Sequence, residues 1–210
     1  MLRSAFIIAL IAAVPIAAQV QAGWKVRIDG SQSASAPEAT PTLTFAPMAK
    51  GFHLTGGPGA IFWDPAHTVK SPYSVKATFT LMKPSDTVTH YGLVFGATGV
   101  EGSTPTYVYF TIEQDGTFQV LHRAGNDVHE IDKSLHLAIR KPDASGKSTN
   151  TLEVQVAPTA VSYLINGAVV HATPTRAGTG SYTETEKTNG IVGVRIDDHI
   201  DVHVDGFEIK

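Results

Sequence analysis

The chain has 210 residues, with 16 lysines and arginines against 19 aspartates and glutamates and a net charge of −3. That balance argues against nucleic acid as a partner, since such binding is driven by clustered cations that neutralise phosphates. There is no cysteine, which excludes disulfides, thiol nucleophiles, thiolate zinc sites and haem attachment through cysteine.

Arg3, an apolar stretch from Ala5 to Ala18 and the small-residue pattern Val20-Gln21-Ala22 predict a secretory signal peptide over 1–22, cut after Ala22. The apolar run is shorter than the about 20 residues that a membrane span needs. A periplasmic or secreted protein is therefore expected, with no transmembrane segment after processing. Residues 23–210 are expected to form a single domain that rests on its hydrophobic core alone.

Trp24, Val26 and Ile28 alternate with Lys25 and Arg27 as in a short strand, and Ser31 to Thr42 is a Ser, Ala, Pro and Thr-rich loop. Leu43–Phe45 and Phe52–Leu54 are candidate strands. Thr55 to Ala60 (TGGPGA) is a turn and not a phosphate loop, because no Gly-Lys-Ser/Thr opening a helix follows. Tyr73, Val75, Ala77, Phe79 and Leu81 share one face of a longer strand, and His90–Gly96 forms the next. Thr106–Gln114 and Thr117–Arg123 flank Asp115-Gly116, a favoured two-residue hairpin turn. Counting back from that turn pairs Glu113 with Phe118, Tyr109 with His122 and Val108 with Arg123. Val108, Phe110, Ile112 and Leu121 then face the core, while Tyr107, Tyr109, Thr111, Glu113 and His122 face outward.

Val128 to Lys141 suits a helical face or a strand, and a loop ending in a strand is favoured. Leu152, Val154 and Val156 alternate before a turn at Pro158-Thr159. Val161–Ile165 then meets Asn166-Gly167, a two-residue turn that pairs Ile165 with Ala168, Tyr163 with Val170 and Val161 with Ala172. Arg176–Asn189 is a polar loop. Val192, Val194 and Ile196 precede a turn at Asp197-Asp198, and Ile200, Val202 and Val204 lead to Phe207 and Ile209. About ten short strands joined by turns predict an all-β, antiparallel two-sheet sandwich.

The order of YGLVFG at 91–96, YVYFTIEQDGTFQVLHR at 107–123, NTLEVQV at 150–156, YLINGAVV at 163–170, GIVGVRI at 190–196 and VDGFEI at 204–209 resembles the concanavalin A-like lectin/glucanase jelly roll. More narrowly, it is similar to family-sixteen-glycoside-hydrolase-like and 3-keto-disaccharide-hydrolase-like domains of exported bacterial proteins. The resemblance covers roughly 52–210 and implies two curved sheets whose concave surface holds glycans. It also implies a structural calcium held from Asp205, the position in VDGFEI that matches the calcium site of the glucanases. The bare residues read equally as an Asp at a β-bulge with Gly206. The hydrolases of that superfamily carry a Glu-x-Asp-x-x-Glu strand, and retaining chemistry wants two carboxyls about 5 Å apart. Here the match is Glu113-Gln114-Asp115-Gly116-Thr117-Phe118, which lacks the third carboxylate.

The outward face of the second hairpin is thus the expected ligand surface: Tyr107 and Tyr109 as rings against sugar faces, Glu113 and His122 as hydrogen-bonding groups, with His90 on the neighbouring strand. The same side chains also suit ordinary cross-strand packing. In Arg195, Asp197, His199, Asp201, His203 and Asp205, neighbours two apart could share an ion only with a third ligand from elsewhere. The expected function is lectin-like carbohydrate binding without hydrolysis. A glycoside hydrolase for keto-disaccharides or β-glucans and an envelope structural protein are the alternatives.

Overall fold

The computed structural model describes residues 23–35, 42–174 and 188–210. The expected signal peptide and most of the Arg176–Asn189 loop lie outside them. In chain order the strands are β1 (Lys25–Ile28), β2 (Leu43–Pro47), β3 (Phe52–Gly56), β4 (Ala60–Val69), β5 (Tyr73–Leu81), β6 (His90–Thr98), β7 (Thr106–Glu113), β8 (Thr117–Ala124), β9 (Asp127–Leu135), β10 (Ser148–Val156), β11 (Ala160–Ile165), β12 (Ala168–Pro174), β13 (Gly190–Ile196) and β14 (Ile200–Ile209). They form two seven-stranded antiparallel sheets, ordered β1-β4-β13-β6-β7-β8-β9 and β12-β11-β10-β5-β14-β3-β2. The all-β sandwich is as the alternation in the sequence requires.

Period-two burial places one face of each strand in the core. In β5, Tyr73, Val75, Ala77, Phe79 and Leu81 are buried, while the residues between them are half-exposed. They meet Leu93, Phe95, Phe110, Ile112 and Val194 of the opposite sheet in one apolar cluster. A second, smaller cluster lies on the outer side of the first sheet. There Ile61, Trp63, Val94, Tyr107 and Tyr109 are covered by Ala97 and Val100, with Ala34 packed against them.

The two hairpin turns differ, and the difference decides which side chains face out. Asn166 and Gly167 both have positive φ, 51° and 83°, as a two-residue turn of this twist requires, and Ile165 faces Ala168. A bulge between Tyr163 and Leu164 then pairs Tyr163 with His171 and Val161 with Thr173, one residue beyond the expected partners. At Asp115-Gly116, only Gly116 has positive φ. Gly116 N–H donates to Glu113 O, and Thr117 N–H donates to the Asp115 carboxylate at 2.8 Å. The loop is therefore three residues long, with glycine in the left-handed position. The register moves by one: Tyr109 faces Leu121, Val108 faces His122, and Ile112 faces Phe118.

Residues 127–141 also depart from expectation. The strand comes first, as β9, and Leu137–Ile139 fall in the turn that follows. β9 is an edge strand that takes its partners from β8 alone, so it shows little of the burial alternation that betrays an inner strand.

Candidate functional site

Reading across the first sheet, register alone assembles a polar file on its outer side. Arg195 of β13 pairs with Gly92 of β6, Gly92 with Thr111 of β7, Thr111 with Gln119 of β8, and Gln119 with Lys133 of β9. One step along, at the sheet's rim, His90 pairs with Glu113, and Asp197 N–H donates to His90 O at 2.9 Å. Side chains then link up across the strands. His90 Nδ1 lies 2.8 Å from Asp197 Oδ2, and its Nε2 lies 2.6 Å from Glu113 Oε1. Lys133 Nζ reaches the same Glu113 oxygen at 2.9 Å. Glu113 is only 3% exposed, so these two contacts are what make its burial tolerable.

Asp197 is pulled two ways. Burial raises its pKa, but the His90 hydrogen bond and the Arg195 charge outweigh burial and hold it below the ordinary 3.8. A folded-state value below the unfolded one means that the unfolded chain takes up the proton first. The stabilisation is therefore full above the unfolded pKa and is lost as pH falls through the folded one. Asp197→Asn is expected to flatten the fall in unfolding midpoint between about pH 5 and pH 3, as read by thermal melts across that range. A slope identical to that of the parent would refute the coupling. Lys133 is raised, chiefly by its hydrogen bond to Glu113, and so stays cationic beside the carboxylate.

Beside this chain lies a cationic–aromatic block. Arg195 donates from Nη1 to Asp29 Oδ1 at 2.9 Å and from Nη2 to Oδ2 in a bidentate pair. Arg123 Nη2 lies 3.6 Å from Asp29 Oδ1. Arg195 stands 5.4 Å over the ring of Tyr109, and Arg123 stands 5.9 Å over Tyr107, a favourable meeting of cation and ring face. Burial pushes both phenols up, against the opposing pull of the arginine charges.

Of the residues singled out from sequence, His90 and Glu113 are brought into direct contact. Tyr107 and Tyr109 lie beside each other, ring centroids 5.8 Å apart, but they are 2% and 6% exposed. They do not stand open on the surface as expected, because Val100 and its neighbours cover them. His122 is corrected outright. The three-residue loop puts it on the side of Val108, turned toward the other sheet, 1% exposed and stacked on His129 at 6.1 Å. Leu121 makes the reverse exchange and joins the outer cluster. Asp205 sits on the other sheet, where it faces Thr78 beside a bulge and its carboxylate accepts from Gly206 N–H at 2.7 Å. Among the described residues no three His, Cys, Asp or Glu side chains are placed to share an ion.

Asp197, Lys133, Arg195 and Asp29 were not foreseen as members of the site. Asp197 looked like a turn residue, and nothing local says that β13 lies beside β6.

No protein-family model matches the chain, and no curated protein matches it by sequence. Solved structures do. The carbohydrate binding module CBM66 from Bacillus subtilis superposes with a TM-score of 0.60 at 8% identity, over 90% of this chain and 95% of that one. A Bacillus subtilis protein of unknown function with a galectin-like fold gives 0.63 at 13% identity, over 89% and 88%. A GH16 of the Bacteroides ovatus mixed linkage glucan PUL, in complex with product, gives 0.55 at 8%, over 89% and 94%. The chain has the concanavalin A-like jelly-roll fold. At these identities the likeness is one of architecture, and the polar file of the first sheet is the feature of this chain with chemistry to offer.

Proposed function

We propose that the protein binds a saccharide on the outer face of its first sheet, outside the cytoplasm, without cleaving it. The observation that carries this reading is the Asp197–His90–Glu113–Lys133 chain laid across the strand rim, next to Thr111 and Gln119. It offers fixed acceptors and donors at a spacing set by the strands, the inventory that sugar hydroxyls require. The accessible members are Lys133, Asp197 and His90, whose side chains are 41%, 31% and 19% exposed, while Thr111 and Glu113 are buried. The carbohydrate-binding neighbours of the same fold and the signal peptide expected over 1–22 support an exported, glycan-facing role.

A second reading, acid–base catalysis on a glycan, is favoured by one observation: two carboxylates meet at one imidazole. Both are occupied as partners of His90 rather than facing each other across open space, which is not the arrangement of a retaining hydrolase. It would instead position His90 as a base.

Glycan-array screening followed by calorimetry on the best binder tests the first reading. Lys133→Gln is expected to weaken binding about tenfold, the worth of one hydrogen bond. Unchanged affinity in both Lys133→Gln and Asp197→Asn would overturn the site. Release of reducing sugar by the parent protein, lost in Glu113→Gln, would establish the second reading in its place.

A further inference from the structure

The cationic–aromatic block on the outer side of the first sheet is uneven in charge. Arg27, Arg123 and Arg195 all lie close enough to Tyr107 for their charges to pull on its phenol, and against them stands the Asp29 carboxylate. Two of the three guanidiniums are well matched. Arg195 takes both Asp29 oxygens, and Arg27 donates to the backbone carbonyls of Val100, Gly102 and Ser31. Arg123 is left with the least. Its Nη1 donates to Gly125 O at 3.4 Å, and its Nη2 stands 3.6 Å from an Asp29 oxygen that Arg195 already holds. Arg27 registers the crowding: burial holds its pKa below the ordinary value, and the Arg123 charge adds to the lowering.

A guanidinium carries five N–H donors and does not discharge by losing its proton. Arg123 therefore keeps a charge that its surroundings compensate poorly. The partner that fits a planar fork of donors is an oxyanion, carboxylate or sulfate. Such a partner has access. The Arg123 side chain is 16% exposed, and of its two nitrogens without a hydrogen bond, Nε is buried and Nη2 is not. Arg123, Leu121 and Gln119 alternate along β8, and Gln119 pairs with Lys133. The step from Gln119 to Arg123 is about 13 Å at the rise of a strand, so an extended saccharide seated at Lys133 reaches Arg123 with its far end. Glu130, the partner of Leu121, faces the same strip and disfavours an anion midway, which leaves the Arg123 end.

We propose that Arg123 receives a carboxylate or sulfate of the bound saccharide, so that the ligand is an acidic glycan. This rests on the saccharide reading above and names its ligand class. Calorimetry with two matched pairs tests it: oligogalacturonate against its methyl ester, and a sulfated carrageenan oligosaccharide against its desulfated form. In one pair the acidic member is expected to bind about tenfold tighter, the worth of a charge-assisted hydrogen bond, and the pair that does so tells carboxylate from sulfate. The net charge of −3 gives no general attraction for anions that could mimic this. Arg123→Gln is expected to abolish the difference while keeping the affinity for the neutral member, which a folding defect would not do. Equal affinities within both pairs would overturn the inference and leave the saccharide reading standing, as would a neutral glycan bound where neither pair binds. An acidic preference that survives in Arg123→Gln would overturn it too. If no glycan binds at all, the saccharide reading falls with it.

Discussion

Replacing Asp29 by alanine is expected to lower unfolding free energy by about 3–5 kcal/mol, the cost of stranding a buried cation. Arg195 is 6% exposed and spends both terminal nitrogens on this one carboxylate. Burial alone would lower the guanidinium pKa, and the Asp29 hydrogen bonds and charge more than restore it. Without Asp29 the ion keeps its desolvation penalty and loses its compensation, and Arg123 loses the same neighbour. Arg195→Met in the Asp29→Ala background should recover much of the loss, since an uncharged side chain of similar length needs no partner. Urea denaturation of the parent, the single variants and the double variant measures it. A single-variant loss below about 1 kcal/mol, typical of a surface pair, would show that Arg195 is solvated in a way its burial does not suggest.

Gly92→Ala is expected to cost about 3 kcal/mol, at the upper end of overpacking, and to weaken saccharide binding as well. A Cβ there would stand 2.1 Å from Phe110 O and 2.8 Å from Thr111 Cα, both backbone atoms of the neighbouring strand. The clash cannot be relieved by turning a side chain, so β6 and β7 must part. That is the strand pair that holds His90 against Glu113. Gly167→Ala provides the contrast. Nothing lies within 4 Å of its added carbon, and the cost is only that of a positive φ of 83°, about 1 kcal/mol. Equal losses for the two variants, by thermal melts and calorimetry together, would show that β6 and β7 have slack.

Much of the architecture could be read from residue order, and the site only in part. Tyr73–Leu81 alternates without a break and lies in the middle of its sheet. Asn166-Gly167 closes the turn its residue types require, because asparagine tolerates the left-handed conformation that glycine permits freely. Asp115-Gly116 looks alike on paper. There, however, Asp115 accepts a hydrogen bond from Thr117 N–H, and the loop takes one more residue. That shift moved His122 inward and Leu121 outward. His90 and Glu113 were recognisable because their strands are consecutive. Asp197 was not, because its approach to His90 spans 107 residues and depends on a strand order that alternation does not encode.

The outermost strands of both layers have a further consequence. β1 is closed on its free side by Ser35, which exchanges backbone hydrogen bonds with Val26 at 2.8 and 2.9 Å. β2 and β12 each end in a proline, Pro47 and Pro174, and β9 carries Asp127, Glu130, Asp132 and Lys133. An unguarded margin of this kind invites a stranger's backbone to zip alongside and seed fibres. Each of the four small barriers works against such growth at the edge that carries it.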